Sequence, residues 1–360
     1  MQDVAGDEQT AIDEKLFMGF DHRKFMAQFP KGDFGWKNKN DPRVKKAFDG
    51  LKTSFQRKQY DVLLTCYAPL APDYKTVDEK MEEMYRQYAN IIQHPTAPLL
   101  VVAGDIGIGK SYGWRMTAEK CNCDELPINE DPSDCNWGWV NCQYIKKNEE
   151  LLCVLAKYNG TYTNTETGEE KPHVLVFDDG EYLLMARSKF TRATLTALTD
   201  EDEKKRIFYN PYTKQQELFK GVLVIITFWS VDRMSGCKTF KALRGRAVTV
   251  DLRLTRTETL QLIKQRYMTA PLGDFDNAFN RLFPTEKEQQ EAREKVYRWI
   301  ADHVYEADPM FFNTYLFRNA LITAAPKIAN GGNTGIRYVR GVQVGSGLPW
   351  QQDLRNLLRY

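Results

Sequence analysis

The pattern of hydrophobic positions divides the chain into regions of different character. Before residue 95, apolar residues recur at helical spacing and predict helices over about 42–60 and 76–93. From residue 99 to 252, short apolar runs alternate with helical stretches. These runs are Leu99–Val102, Gly138–Cys142, Val174–Phe177, Val222–Thr227 and Val248–Leu252. Continuous apolar strands separated by helices are typical of a parallel sheet with both faces buried.

After residue 255 the pattern becomes mainly helical again. We therefore expect a helical N-terminal region over 1–94, an α/β core over 95–254, a helical region over 255–328 and a loop-rich tail over 329–360. The longest apolar stretch, Gly221–Phe228, is far shorter than the ~20 residues that span a bilayer. We expect no membrane-spanning segment.

Composition adds limits on location and on partners. The chain has 50 basic and 48 acidic residues, so its formal charge is only +2, and a nucleic-acid surface must be a local patch. The first fifteen residues are acidic and polar, unlike a secretory signal. Seven cysteines form an odd set, which favours reduced thiols. We expect a cytoplasmic protein, or one of the host cytoplasm if the chain is viral.

A glycine-rich segment after the first apolar run is the strongest local signal. It reads G-x-x-x-x-G-K-S, with a strand before it and a helix-compatible stretch, Tyr112–Cys121, after it. Its residues are Gly104, Asp105, Ile106, Gly107, Ile108, Gly109, Lys110 and Ser111, and Tyr112 follows. The glycines allow successive backbone N–H groups to surround an anion, and the helix adds its positive end. We expect Lys110 to reach the β- and γ-phosphates of ATP and Ser111 to bind Mg²⁺.

The apolar run Val174–Phe177 is followed by two acids, Asp178 and Asp179. We expect Asp178 to hold Mg²⁺ through a bound water, and Asp179 to stand where a base would polarise the attacking water. Aspartate is one methylene shorter than glutamate, so hydrolysis is expected to be slow or to be assisted by Glu181. The alternative is a pair of solvated turn acids, since Asp-Asp-Gly also favours a turn.

The apolar run Val222–Thr227 is followed by an arginine-containing segment. The hydroxyl of Thr227, or that of Ser230, is a candidate hydrogen-bond partner for the γ-phosphate or for the attacking water. Arg244 and Arg246 are candidates for stabilising the charge of a phosphoryl group, because guanidinium groups offer planar donors. The alternative is an ordinary loop of solvated arginines.

Taken in order, these segments resemble the AAA+ ATPase family. GDIGIGKS matches its Walker A motif, VLVFDD its Walker B motif, TFWS its sensor 1 and ALRGR its arginine-finger segment, over about Pro95 to Ile328. The sequence departs from the family at Asp179, where many members have Glu, and at Phe228 and Trp229, where Asn is expected. Both departures concern the rate of hydrolysis rather than nucleotide binding.

The resemblance implies a P-loop NTPase core with a parallel sheet, followed by a helical lid. It also implies a ring or helical homo-oligomer in which Mg·ATP lies between subunits. An arginine of the neighbouring subunit would touch the γ-phosphate; Arg246 matches the family position best, and Arg244 is the alternative. Arg318, in the helical stretch Phe311–Ala325, lies near the position of the family's sensor-2 arginine, and the alternative is an ordinary surface arginine.

Between Asp179 and the run Val222–Thr227, the sequence predicts a helix over Ala193–Lys205 and then a β-hairpin around Pro211–Lys214. A hairpin at this place resembles the pre-sensor-1 hairpin group of AAA+ proteins, which includes viral replicative helicases. Its basic and aromatic residues suit a nucleic-acid backbone with base stacking. The candidate contacts are Lys205, Arg206, Tyr209, Tyr212 and Lys214. The alternative is a solvated hairpin whose tyrosines pack on its own strands.

A basic segment near the N-terminus is a second candidate surface. From Lys15 to Lys58 there are twelve basic residues and four acids, interleaved with Phe and Trp. This composition suits contact with nucleic acid or with a protein partner. The alternative is a helical domain with an aromatic core and a solvated basic face.

We therefore expect an oligomeric ATPase that acts on nucleic acid as a helicase, translocase or helicase loader, in viral or phage replication for example. Two alternatives stay open. One is a AAA+ ATPase that remodels proteins, and the other is a slowly hydrolysing, ATP-gated filament or scaffold.

Overall fold

A computed structural model describes residues 17, 19–71, 74–95, 97–125, 136–164, 168–185, 188–303, 313–329, 338–339, 342–343, 351 and 354. The chain divides into two compact units. Asp78–Arg253 forms one, here called the sheet unit, and Met1–Val77 with Leu254–Tyr360 forms the other, here called the helical unit. Most of the tail over 329–360, expected to be rich in loops, lies outside the described residues.

The sheet unit is built on five parallel strands in the order β2-β5-β8-β1-β9. The strands are β1 (Leu99–Gly104), β2 (Trp137–Asn141), β5 (Val174–Asp178), β8 (Val222–Thr227) and β9 (Ala247–Leu252). Every residue of β1 and β8 is buried, as expected for strands covered on both faces. Ala103 of β1 lies opposite Thr227 of β8, so the carboxyl ends of the strands share one edge.

Helices cover this sheet. They are α4 (Val77–Gln93), α5 (Lys110–Lys120), α6 (Asn148–Lys157), α7 (Glu181–Leu184), α8 (Lys189–Leu198), α9 (Val231–Met234) and α10 (Lys238–Leu243). Helix α4 matches the predicted helix over 76–93. Helix α8 ends before residue 205, because the chain turns through Thr199 into a short 3₁₀ segment, Glu203–Lys205, that Asp202 caps.

A cluster of aromatic rings joins α4, α5 and β2. The Trp114 ring lies 5.3 Å from that of Tyr88 and 5.7 Å from that of Trp137, both edge to face. Gly113 makes this contact possible, since a Cβ there would lie 2.7 Å from Cε of Met84. The Tyr88 hydroxyl donates a hydrogen bond to the main-chain oxygen of Lys110 at 3.2 Å. The start of α5 is thereby fixed against α4.

Two antiparallel hairpins belong to the same unit. The strands β3 (Thr161–Thr163) and β4 (Glu170–Pro172) form the first, which the sequence did not predict. The strands β6 (Ile207–Asn210) and β7 (Gln215–Leu218) form the second, at the predicted place. Asn210 shapes its turn by accepting a hydrogen bond from the backbone N–H of Tyr212 at 2.9 Å.

The N-terminal part of the helical unit has an aromatic core. It contains α1 (His22–Met26), α2 (Pro42–Ala47) and α3 (Ser54–Tyr67). The sequence predicted one helix over 42–60, but Gly50 has a φ of 68° and Thr53 starts a new helix through a capping box with Gln56. Five rings of the basic segment are buried, those of Phe17, Phe25, Phe29, Trp36 and Phe48. These rings form the core of this part.

The C-terminal part of the helical unit contains α11 (Arg256–Leu262), α12 (Asp276–Leu282), α13 (Glu286–Asp302) and α14 (Thr314–Ala329). A π-helical turn, Ile263–Tyr267, follows α11. Two short strands, β10 (Tyr338–Val339) and β11 (Val342–Gln343), are also described. Within the described ranges, no helix combines the length and the apolar content needed to cross a bilayer.

Candidate functional site

The loop between β1 and α5 has a backbone that only glycine adopts readily. Gly104, Gly107 and Gly109 have φ angles of 154°, 79° and 95°. Gly109 precedes the first residue of α5, and no side chain caps that helix end. The first N–H groups of α5 therefore face the loop without a side-chain acceptor, which suits an anion.

Close packing also requires glycine at the end of β1. A Cβ at Gly104 would lie 2.7 Å from Cβ of Leu252 and 3.0 Å from Cδ1 of Ile108. The strand β9 thus packs against the start of the loop, and residue 104 has no room for a side chain.

The Lys110 side chain is held inside this loop. Its ammonium group donates hydrogen bonds to the main-chain oxygens of Gly104 and Asp105, at 2.9 and 2.7 Å. Burial lowers the pKa of Lys110 to about 8, and the nearby carboxylates of Asp105 and Asp178 oppose this effect. A buried cation enclosed by a glycine loop is suited to meet a phosphate group.

Ser111 and Asp178 converge although 67 positions separate them. The Ser111 hydroxyl donates to Oδ1 of Asp178 at 3.1 Å. Burial raises the pKa of Asp178, and the bond from Ser111 opposes that effect. A hydroxyl and a carboxylate are hard oxygen donors of the kind that Mg²⁺ prefers, so this pair fits a magnesium ion held beside a phosphate.

The Asp179 carboxylate is hydrogen-bonded to side chains at the carboxyl end of the neighbouring strand, β2. Its Oδ2 accepts hydrogen bonds from the side-chain amides of Asn141 and Gln143, each at 2.9 Å. Its φ of 51° lies in the left-handed region, which few residues other than glycine adopt. Sequence reasoning did not identify these two amides, because their contact depends on β2 pairing with β5.

Glu181 and Thr227 form a buried pair next to Asp179. Oε2 of Glu181 accepts a hydrogen bond from the Thr227 hydroxyl at 3.0 Å. Both residues are almost fully buried, at 2% and 1% exposed. Burial raises the pKa of Glu181. The end of β8 is thus tied to the first residue of α7.

The two candidate arginines differ in their surroundings. Arg246 donates to the main-chain oxygen of Thr196 at 2.5 Å and lies 3.5 Å from the Asp200 carboxylate. Arg244 is exposed at the end of α10. Arg244 therefore has the side chain that is more available to a neighbouring molecule.

Two further candidates lie in different units. Tyr112, in the first turn of α5, is 65% exposed. Arg318, in the helical unit, donates to the main-chain oxygen of Leu272 at 2.8 Å through Nη2. Arg318 thus has an internal partner in its own unit.

The candidate nucleic-acid residues separate into two groups. Arg206 is buried and donates to the main-chain oxygen of Asp200 at 2.7 Å, so its guanidinium is not on the exposed face of the hairpin. Lys205 lies 3.3 Å from the Asp202 carboxylate. The exposed members are Lys205, Tyr209, Tyr212 and Lys214.

No protein-family model matches the chain, and no curated protein matches its sequence. Solved structures do match. Domain III of the replication initiation protein DnaA from Thermotoga maritima is 13% identical, with a TM-score of 0.40, over 80% of this chain and 98% of that one. NtrX from Brucella abortus is 12% identical, with a TM-score of 0.36, over 85% and 59%.

Drosophila ORC bound to DNA is 12% identical, with a TM-score of 0.39, over 74% of this chain and 65% of that one. The chain thus spans less than two thirds of the NtrX and ORC chains. At these identities a likeness concerns the fold alone. The chain's own sheet carries a glycine loop between β1 and α5 and an acidic end on β5. The protein therefore has an α/β fold built on a five-stranded parallel sheet, accompanied by helical N- and C-terminal regions.

Proposed function

We propose that this protein binds Mg·ATP in the loop Gly104–Ser111 and hydrolyses it as a subunit of an oligomer. The observation that carries the proposal is the 3.1 Å bond between Ser111 and Asp178 beside the buried ammonium group of Lys110. A cation, a hydroxyl and a carboxylate at the carboxyl edge of a parallel sheet are the groups that phosphoryl transfer requires. Lys110 would bind the phosphates, and Ser111 and Asp178 would hold Mg²⁺.

The test is the affinity for a fluorescent ATP analogue, measured with and without Mg²⁺, together with phosphate release. We expect Lys110→Ala to weaken binding at least tenfold, and Asp178→Asn to remove most of the gain from Mg²⁺. Asp251→Asn is the matched control, since Asp251 lies near the end of the adjacent strand β9 and pairs with Arg253. A wild-type protein that binds no nucleotide would contradict the proposal.

We further propose that ATP turnover acts on single-stranded nucleic acid through the hairpin β6–β7. Tyr209 and Tyr212 are 48% and 69% exposed, and Lys214 lies exposed in the turn between the strands. Exposed rings beside a cation suit stacked bases and a phosphate backbone. The basic segment Lys15–Lys58 is a second candidate contact for nucleic acid or a protein partner, through its exposed cations.

The test of this second proposal is the salt dependence of oligonucleotide binding. We expect Lys214→Ala to reduce the slope of log affinity against log salt by about one. The double variant Tyr209→Ala, Tyr212→Ala should weaken binding by about 1–3 kcal/mol for each stacked base. Tyr315→Ala is the control, because Tyr315 is 45% exposed on α14 of the other unit. Unchanged binding in the hairpin variants would contradict this role.

One observation favours protein remodelling as an alternative. Ile207 and Leu218 lie directly opposite each other in the hairpin and are 43% and 41% exposed. Tyr209 is two residues from Ile207 and shares its face. An apolar face of this kind suits an extended polypeptide more than a phosphate backbone. Loss of unfolded-protein binding in Ile207→Ser, with oligonucleotide binding intact, would favour the alternative.

A further inference from the structure

The carboxylate of Glu181 is the group of the site whose hydrogen bonding is incomplete. Its Oε2 accepts a bond from Thr227, whereas Oε1 is buried and makes no hydrogen bond within the described part of the chain. The backbone N–H groups of Glu181 and Phe228 lower the pKa of this carboxyl, against the effect of burial. A buried polar atom without a partner is costly and is rare in native proteins, so its presence at a site needs an explanation.

The other two acids at this edge are already engaged. Oδ1 of Asp178 accepts the Ser111 hydroxyl, as expected for a side chain on the metal side of the site. Oδ2 of Asp179 accepts two amide hydrogens from the direction of β2. Of the three acids, Glu181 is the most deeply buried, at 2% exposed, and its Oε1 is buried without a hydrogen-bond partner among the described residues.

Glu181 lies at the edge of the sheet where the phosphate loop begins. It is bonded to Thr227 at the end of β8, and Thr227 lies opposite Ala103, the residue before Gly104 of the loop. Lys110 is held at the same edge by the main-chain oxygens of Gly104 and Asp105. Glu181 is also buried, and a buried site separates the attacking water from bulk solvent.

Thr227 determines how this carboxylate is held. A hydroxyl has one hydrogen, and Thr227 donates it to Glu181. Its oxygen accepts a bond from the backbone N–H of Trp229 at 3.1 Å. The Thr227 hydroxyl therefore donates its hydrogen to one protein group and accepts a hydrogen bond from another. It can act on a phosphate only through Glu181.

We propose that Glu181, rather than Asp179, accepts the proton of the water that attacks ATP, and that Thr227 positions its carboxylate. This inference rests on the proposed ATPase function. The water oxygen forms a bond to the γ-phosphorus while the bond from that phosphorus to the β,γ-bridging oxygen breaks. The electron pair of the broken bond stays on ADP, and the water proton passes to Oε1 of Glu181 and then to solvent.

The test compares single-turnover hydrolysis with ATP affinity in matched variants. We expect Glu181→Gln to slow hydrolysis at least ~100-fold and to leave ATP affinity within about threefold. Asp179→Asn should slow hydrolysis by less than about tenfold. Glu258→Gln is the control for loss of a buried carboxylate, because Glu258 is also 2% exposed but caps α11 in the helical unit.

The positioning role of Thr227 has its own test. Thr227→Val removes the hydroxyl at nearly constant volume, and we expect it to slow hydrolysis about tenfold at unchanged ATP affinity. Thr227→Ser should restore the rate, which a purely structural role for the methyl group would not allow. A Ser variant as slow as the Val variant would overturn the positioning role.

A binding measurement supplies a readout besides turnover. ADP with aluminium fluoride mimics the transition state, and we expect Glu181→Gln to bind it at least ~10-fold more weakly while Asp179→Asn changes little. The reverse order of the two variants would overturn the inference and leave the ATPase proposal intact. Failure of the wild type to bind ATP would instead overturn the proposed function and this inference with it. Binding without hydrolysis would overturn the role of Glu181 and leave nucleotide binding.

Discussion

The ammonium group of Lys110 lies 2.7 Å from the main-chain oxygen of Asp105, inside the loop that it would use to bind phosphate. Because burial lowers the pKa of Lys110 to about 8, part of its charge is lost at mildly alkaline pH. A bound phosphate would restore the charged form. Nucleotide binding should therefore take up a proton above pH 8.

We predict that ATP affinity is constant below about pH 8 and falls by up to tenfold for each pH unit above it. Isothermal titration in two buffers of different ionisation enthalpy measures both the affinity and the proton uptake. Lys110→Arg is the control, because guanidinium keeps its charge over this range. An affinity that does not change up to pH 9.5 would contradict the assignment.

The same shift affects the stability of the nucleotide-free protein. Between pH 8 and 10.5 the unfolded chain binds the Lys110 proton more tightly than the folded chain does. Stability should thus rise with pH in this window, relative to a Lys110→Met variant. Thermal melts of both proteins at several pH values measure the difference. A difference that falls with pH would contradict the sign.

Gly104→Ala should disrupt both the fold and the site. The added Cβ would meet Leu252 at 2.7 Å, and a φ of 154° is unfavourable for alanine. We expect a loss of about 1–3 kcal/mol in unfolding free energy, measured in urea, and a loss of nucleotide binding. Gly245→Ala is the control, since nothing lies within 4 Å of its Cβ position. Equal stability of the two variants would show that β9 does not constrain the loop.

Arg244 and Arg246 should give different phenotypes. Arg246→Ala loses the bond to Thr196 and the contact with Asp200, so we expect it to cost about 1–2 kcal/mol of unfolding free energy. Arg244→Ala should leave stability within about 0.5 kcal/mol and lower hydrolysis in the oligomer.

Subunit mixing separates a role between subunits from a role within one. The Arg244→Ala and Asp178→Asn proteins, each expected to hydrolyse ATP slowly by itself, should regain part of the activity when mixed, because some interfaces then combine an intact site with an intact arginine. No recovery, in a mixture shown to form mixed oligomers, would contradict a role for Arg244 across the interface.

His173 should make the sheet unit sensitive to acid. It is 5% exposed, its ring stacks on that of Tyr162, and Nε2 has no hydrogen-bond partner within the described residues. Burial lowers its pKa, so the unfolded chain takes up the proton first as the pH falls. We expect stability that is present above pH ~6.5 to be lost as the pH falls, and less so in His173→Phe. Acid unfolding of the wild type and of His173→Phe, followed in parallel, measures this difference. Identical unfolding curves for the two proteins would contradict the prediction.

The sequence predicted those parts of the fold that depend on local patterns. The run Val222–Thr227 became β8 with the same bounds, because six buried residues in succession fit only a strand covered on both sides. The glycine loop was predictable since its backbone angles require glycine at fixed spacing. The break between α2 and α3 was not predicted, because Gly50 and the Thr53 cap interrupt an otherwise continuous helical pattern.

The partners of the site residues were harder to predict. The bonds from Asn141 to Asp179 and from Thr227 to Glu181 each join segments that are distant in sequence, so they follow from sheet order rather than from local spacing. The sequence also could not separate a buried arginine such as Arg206 from an exposed one. A motif identifies the residue types at a site, and the tertiary contacts decide which of them are available.

The edge-to-face contact between Trp114 and Tyr88 gives the protein an internal optical reporter. Trp114 lies on the same helix as Ser111, three residues further on, and its indole is fully buried. A displacement at the start of α5 would change the surroundings of this indole, and therefore its fluorescence, without any attached dye. Replacing the other tryptophans by phenylalanine would leave an emission signal that follows the phosphate loop in real time.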